Sequence, residues 1–383
     1  MLLPRRTFLR FAAAGAGAIL VNPCMALASV PGDRRFVFII QRGAADGLNI
    51  VVPYGDPEYA GLRREIAIDP ATAIKLDGHF ALNPAMLEAG KMFASGQALF
   101  VHATASPYRD RSHFDGQNVL ETGGTTPYAQ RDGWLNRLVT LMPRAGDEAI
   151  ALAATVPPAL RGRADVTSYA PSKLPQPTDD LLARVGRMYQ SDPQLHGMWD
   201  AAIEARGMAA GQAPGQKPED LGRLAASFLS RPDGPRIAML ETGGWDTHTG
   251  EQGRLTAQLR ALDGMVAALR DNLGPVWDQT VVLVATEFGR TAAVNGTGGT
   301  DHGTASAAML FGGAVKGGRV LADWPGLSQT NLYEQRDLKP TIGLDAVIAG
   351  AAAETLGIDP ERAGKVLFPT ADFGRPVEGL VRV

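Results

Sequence analysis

Cysteine is almost missing from this 383-residue chain, Cys24 being the only one. Disulfides therefore cannot hold the fold together, and stability has to come from a buried core. The length suffices for one large domain or two small ones. Aromatic residues make up 7% of the chain, and there are six histidines in all, so a gathering of histidines in a few loops carries information. Strong charge is lacking too. The formal net charge is −3, and a chain without a basic surplus has no electrostatic reason to bind nucleic acid. The apolar run Phe11–Val21 falls short of the ~20 residues that a bilayer span needs. No internal repeat or low-complexity tract is present, and 45 glycines with 26 prolines fit many built loops rather than disorder.

The amino terminus carries a pattern of its own. Arg5-Arg6-Thr7-Phe8-Leu9-Arg10 is a twin-arginine motif, followed by the apolar run and by Ala26-Leu27-Ala28, a small-residue cleavage signal. Residues 1–28 are expected to be a signal peptide, cut after Ala28. An uncleaved anchor is the alternative. The expected location is the periplasm, or otherwise outside the cytoplasm by the twin-arginine route, with no stable membrane span after cleavage. The leader holds three arginines and no acid, so the net charge of −3 becomes −6 without it. That export route carries folded cargo, which suits a protein that acquires a metal or partner first.

Short apolar runs punctuate the rest. Arg35–Gln41 (RFVFIIQ), Leu99–Ala103, Ala149–Ala154, Arg236–Leu240, Thr280–Thr286 (TVVLVAT) and Ala307–Phe311 read as strands buried on both faces, as in a parallel sheet. Helical periodicity lies between them, over Pro84–Ala94, Gly253–Leu273 and Asp345–Leu356. Strand–helix alternation predicts an α/β fold, a mainly parallel sheet with helices on both faces. Ligands of such sheets sit outside the carboxyl ends of the strands. One domain is expected over 29–383, with a cap or insertion at about 156–235, where proline-rich and Ala-rich stretches break the alternation.

Four loops at strand ends hold the chemically useful side chains. In Gln41–Asn49, Asp46 lies among small residues, where a carboxylate can reach a metal; an Asp-Gly turn explains it equally. In Arg109–Asp115, Ser112 begins a helix, where a hydroxyl beside a cation can act as a nucleophile. Ser-x-x-Asp is also a capping box, and one residue can serve both ends. In Glu241–Gly250, Asp246 and His248 suit a metal, while Asp246 or Thr249 can equally cap the long helix that follows. The fourth is Val284–Thr291 with Glu287, and beyond it lies the loop with Asp301 and His302. Three of the six histidines, His113, His248 and His302, fall in these loops. Asp46, Asp246, His248, Glu287 and His302 can thus converge on one or two metal ions over Ser112. Arg42, Arg111 and Arg290 are placed to hold an anionic substrate.

The stretches QRGAADGLNIVVPYGDP, RSHFDGQNVLETGG, ETGGWDTHTGE, VVLVATEFGRT, GTDHGTASAAMLFGG and DLKPTIGLDAVIAG resemble an uncharacterised family of twin-arginine-exported bacterial proteins, a domain of unknown function within the alkaline phosphatase and sulfatase superfamily. The resemblance runs over essentially the whole chain after the leader. It implies an alkaline-phosphatase-like three-layer sandwich and an exported metal-dependent hydrolase of phosphate or sulfate esters. By that likeness Asp46 is the first-strand carboxylate and Ser112 the nucleophile of a helix closed by Thr122-Gly123. Asp246, His248 and His302 hold Zn²⁺ or Mn²⁺, with Asp301 and His113 supporting them. Where superfamily enzymes have Asp-His-Gly, this chain has Glu287-Phe288-Gly289. Phenylalanine cannot bind a metal, so a second site is left with the oxygen ligands Asp46 and Glu287, suited to Mg²⁺, Ca²⁺ or Mn²⁺. The resemblance also leaves open a non-catalytic relative that binds an anionic ligand or an envelope partner, and it implies a small anionic ester as substrate and a second exported protein as partner.

Overall fold

Seven residues with no polar side chain between Phe36 and Ile40 form the centre of the molecule. They make β1 (Arg35–Gln41), every residue of it buried. The computed structural model describes residues 34–142, 148–170, 179–190, 217–372 and 374–382, with a few positions between 192 and 203. The expected leader, residues 1–28, lies outside the described residues.

Strand β1 pairs in parallel with β8 (Ile237–Thr242) on one side and β9 (Thr280–Thr286) on the other, in register over Phe36–Gln41 and Arg35–Gln41. Beyond β8 lie β6 (Ala149–Ala151) and β7 (Thr167–Ser168), both parallel. Beyond β9 comes β10 (Ser306–Phe311), antiparallel to β9 and to β5 (Ala98–Ala105). Strands β11 (Arg319–Leu321) and β12 (Ile342–Gly343) run parallel to β5. Only β10 therefore runs against the rest of this nine-stranded sheet. Strands β2 (Val51–Val52), β3 (Ile74–Lys75) and β4 (Ala81–Leu82) form a small second sheet in the order β2-β4-β3.

Because side chains alternate across a strand, β1 feeds two cores. Val37 and Ile39 pack with Leu255, Leu259 and Leu262 of the helix Glu251–Leu273. Phe36, Phe38 and Ile40 pack with Trp134 and with Val347 and Ile348 of the helix Leu344–Leu356. The layers are helix, sheet, helix, the α/β arrangement expected. A further helix, Pro360–Leu367, follows the one read as closing the chain; Asp359 caps it by accepting from the Arg362 N–H at 2.8 Å. Among the described residues, no helix is long and apolar enough to cross a membrane.

The stretch 156–235, read as a cap or insertion, packs on the main body at both ends. Strand β7 joins the sheet edge, and the helix Pro218–Leu229 buries Leu224, Ala225, Phe228 and Leu229 in the same core as Met265 and Leu269. Its apolar face completes the layer over β8, so both ends of the stretch belong to the main body; residues 171–178 and 204–216 lie outside the described residues. Replacing Phe228 with Ala is expected to cost about 3–5 kcal/mol, the usual loss for a buried phenyl. Urea unfolding checks this, and a loss under ~1 kcal/mol places the helix outside the core.

Candidate metal centre

Strands β1, β5, β8 and β9 all end on one edge of the sheet, and β10, running against them, begins there. Their connecting loops meet outside this edge, the place where α/β sheets bind ligands. They bring together His113 from the loop after β5, Asp246 and His248 from the loop after β8, and Glu287, Arg290, Asp301 and His302 from the segment between β9 and β10.

Three imidazoles are fixed from behind. His302 Nδ1 lies 2.9 Å from the Arg111 carbonyl oxygen. His113 Nδ1 is 2.8 Å from Glu287 Oε1, and His248 Nδ1 is 3.1 Å from Asp301 Oδ1. A carbonyl only accepts, and so does an ionised carboxylate. Burial pushes Glu287 upward, but hydrogen bonds from His113, Gln117 and the Gly43 N–H outweigh it and hold the acid below its ordinary range. For Asp301, hydrogen bonds from Asn295 and His248 likewise overcome the effect of burial. Each Nδ1 therefore donates, and each ring turns its Nε2 outward.

Those three Nε2 atoms surround one oxygen. Asp246 Oδ1 lies 3.0 Å from His248 Nε2, 3.3 Å from His302 Nε2 and 3.5 Å from His113 Nε2. His248 Nε2 and His302 Nε2 are 3.0 Å apart. Among the described residues, His113, Asp246 and His302 offer ligand atoms all within 4.8 Å of one another. An imidazole whose far nitrogen is held by a carboxylate or carbonyl is the usual form of a metal ligand. The residues present thus fit a metal. Arg290 Nη1 donates to the same Asp246 oxygen at 2.9 Å; burial raises the Asp246 pKa, and this bond with the nearby positive charge brings it below the ordinary value. Burial, then the charge of His113, lowers the pKa of His302, whereas the Glu287 hydrogen bond raises that of His113.

The centre has a closed back and an open front. Glu287 and Arg290 have fully buried side chains, while those of Asp246 and His248 are 44% and 42% exposed. Phe288 lines the back, its ring stacked 5.1 Å from that of His113 and tilted 5.3 Å from that of His302. Two glycines let the Asp301–His302 loop lie this close. A Cβ on Gly299 would stand 2.3 Å from the His248 carbonyl carbon, and one on Gly303 would stand 2.3 Å from the Arg290 carbonyl. Arg111 adopts a left-handed φ of 59°, a conformation that costs a non-glycine residue about 1 kcal/mol or more, and from it presents its carbonyl to His302.

Several expected site residues sit differently. Glu287 and His113 exchange places: the imidazole faces Asp246, and the carboxylate stands behind it. Asp46, expected as a ligand, gives both oxygens to Arg63, at 2.8 and 2.9 Å, with both side chains buried. The oxygen-only second site expected from Asp46 and Glu287 is therefore not assembled, since each carboxylate is already engaged elsewhere. Two of the arginines expected to meet a substrate are also occupied. Arg42 is held by Glu121 at 2.7 Å, Glu241 at 2.8 Å and Gln117 at 3.0 Å; Arg111 is held by Asp337 at 2.8 Å and by Glu334. Arg290 meets Asp246, but its guanidinium is buried, with Nε and Nη2 unpartnered. Ser112 is the N-cap residue by position, yet its side chain makes no capping hydrogen bond. The carbonyl before it and the imidazole after it both serve the centre, which keeps Ser112 at its edge.

Arg63, Glu251 and Asp337 were not singled out from the sequence. Glu251 is fully buried beside Asp46, accepts from the Thr300 hydroxyl, and leaves Oε1 unpartnered. Asp337 joins Arg111, Thr304 and Arg336. A buried carboxylate far from any strand end leaves no local signal in a sequence.

Fold and site together define an α/β protein with a histidine–carboxylate centre at the carboxyl edge of its sheet. The chain belongs to the family described as "Protein of unknown function (DUF1501)", which it matches over residues 33–367. A comparison with curated proteins finds no match. Solved structures similar to it include that of Ps i-CgsB in complex with k-i-k-neocarrahexaose, with 12% identity, a TM-score of 0.43, and coverage of 87% of this chain and 74% of that one. Another is the C-terminal periplasmic domain of EcEptC from Escherichia coli in complex with Zn, with 9% identity, a TM-score of 0.37 and 73% coverage of each chain. A third is alkaline phosphatase from the Antarctic bacterium TAB5, with 11% identity, a TM-score of 0.33, and coverage of 75% and 94%.

Burial, reinforced by the Asp46 carboxylate, pushes Glu251 up to about 8 from an ordinary 4.5. The folded protein then keeps this proton where the unfolded chain has lost it, so the contribution of Glu251 to stability is greatest below pH 4.5 and declines as pH rises toward 8. Glu251→Gln is expected to remove that decline. Urea midpoints at pH 5 and pH 8, taken in chelator, compare the two proteins; equal pH slopes would count against the buried neutral acid.

Proposed function

We propose that this chain is a metal-dependent hydrolase of phosphate or sulfate esters, exported by the twin-arginine route, with Ser112 as its nucleophile. The observation that carries the reading is the convergence of three imidazole Nε2 atoms and the Asp246 oxygen on one point. Asp246, His113, His248 and His302 would hold the ion, and a set of three nitrogens and one oxygen suits zinc or manganese. When bound, such an ion supplies Lewis-acid polarisation of an ester oxygen. The chain's own residues do the rest. Glu287, Asp301 and the Arg111 carbonyl keep each ring in one tautomer and one orientation, and Phe288 shields the buried side from water. Ser112, between Arg111 and His113, has a hydroxyl that makes no helix-cap hydrogen bond and would supply the attacking oxygen.

A second reading is favoured by one observation: Arg42 and Arg111 are already paired with carboxylates, which leaves the rim without an open guanidinium for an anion. On that reading the centre binds an envelope partner without ester chemistry.

Elemental analysis after reconstitution and desalting is expected to find bound metal, with affinity reduced at least about tenfold in His302→Ala and Asp246→Ala. Ser112→Ala is expected to keep the metal but lose hydrolysis of p-nitrophenyl phosphate or sulfate by on the order of 10³-fold or more. Metal-free protein would contradict both readings; bound metal with no hydrolysis in the parent protein would select the second.

A further inference from the structure

The Asp46–Arg63–Glu251 cluster lies behind the metal centre and is charged, buried and unused by the reading above. Arg63 ends the single turn Tyr59–Arg63. Its guanidinium meets Asp46 through two nitrogens, at 2.8 and 2.9 Å, and Glu251 Oε1 lies 3.9 Å from the same Nη1. No part of Arg63 or Glu251 reaches solvent. Burying charge is costly unless it is paired, so a cation in a cage of two acids needs a reason to be there.

The cage holds the loops that carry the ligands. Asp46 caps the turn after β1, accepting from the Leu48 N–H at 3.3 Å. Glu251 opens the long helix three residues after His248, and Thr300 donates its hydroxyl to Glu251. The Thr300 N–H donates to the Thr247 carbonyl at 3.2 Å. Thr247 adjoins His248, and Thr300 adjoins Asp301 and lies two residues before His302. The chain of contacts from Arg63 thus reaches the His302 loop in two steps and the His248 loop in three.

We infer that the Arg63 guanidinium is a built-in cation, standing where two carboxylates would otherwise gather a second metal ion, and that the centre accordingly takes one metal per chain while Arg63 positions the loops of His248 and His302. Asp46 is satisfied by a charge that cannot dissociate, because a guanidinium keeps its proton throughout the working pH range. The inference rests on the histidine–Asp246 cluster being a metal site, and Arg63 acts through that cluster as a positioning residue.

Metal stoichiometry separates the possibilities in the unaltered protein. After saturation with Zn²⁺ or Mn²⁺ and desalting, one equivalent per chain is expected. Two equivalents overturn this inference while leaving the metal reading intact, and none overturns both. In Arg63→Ala, metal affinity at the histidine centre is expected to fall about 10- to 100-fold, the range for loss of supporting contacts. Millimolar guanidinium, but not equal sodium chloride, should restore at least about tenfold of it by refilling the cage. Unchanged affinity in Arg63→Ala, or a loss that guanidinium does not reverse, overturns the positioning role. If that variant does not fold, the stoichiometry of the parent protein decides.

Discussion

Three histidines are each forced to donate through Nδ1, and the rest of the centre follows from that constraint. An acceptor stands behind every ring, a carbonyl for His302 and carboxylates for His113 and His248. The orientation of each ring is then no longer free, and the three Nε2 atoms point forward to Asp246. The fold supplies the rigidity this needs. The site residues lie in loops at the carboxyl edge of a mainly parallel, largely buried sheet, and the close approach of Gly299 and Gly303 to neighbouring backbone leaves the Asp301–His302 loop little room to shift.

Charge is arranged in two layers. The front layer has the histidines and Asp246, partly open to solvent. The rear layer has Glu287, Arg290, Asp46, Arg63 and Glu251, all buried. In the rear layer nearly every acid has its own base or donor, so the site divides into a region of metal-type side chains open to solvent and one that is already neutralised. Phe288 belongs to the same division. Its aromatic ring is a wall for His113 and His302.

Much of the fold was legible because buried parallel strands leave continuous apolar runs. Arg35–Gln41 and Thr280–Thr286 form strands with the bounds read from the sequence, and the periodicity of Gly253–Leu273 marks the helix Glu251–Leu273. The helix Pro218–Leu229 lies within the stretch read as a cap or insertion, and its apolar face shows its partner only in three dimensions. At the centre, Asp246, His248 and His302 stood out as rare metal-type residues in small-residue loops. The exchange of Glu287 and His113 was not visible, since sequence order says which loops meet but not which atom of a pair faces inward. Arg63 was invisible for a related reason: it reaches Asp46 across seventeen residues, from a turn with no metal-type residue beside it.

The central claim is that one ion joins the Nε2 atoms of His113, His248 and His302 with Asp246. Nitrogen-15 NMR of the imidazoles in zinc-loaded protein tests it most directly. The structure predicts three histidines with a protonated Nδ1 and a metal-shifted Nε2. A protonated Nε2 on any of the three, or ring spectra unchanged by zinc, would contradict it.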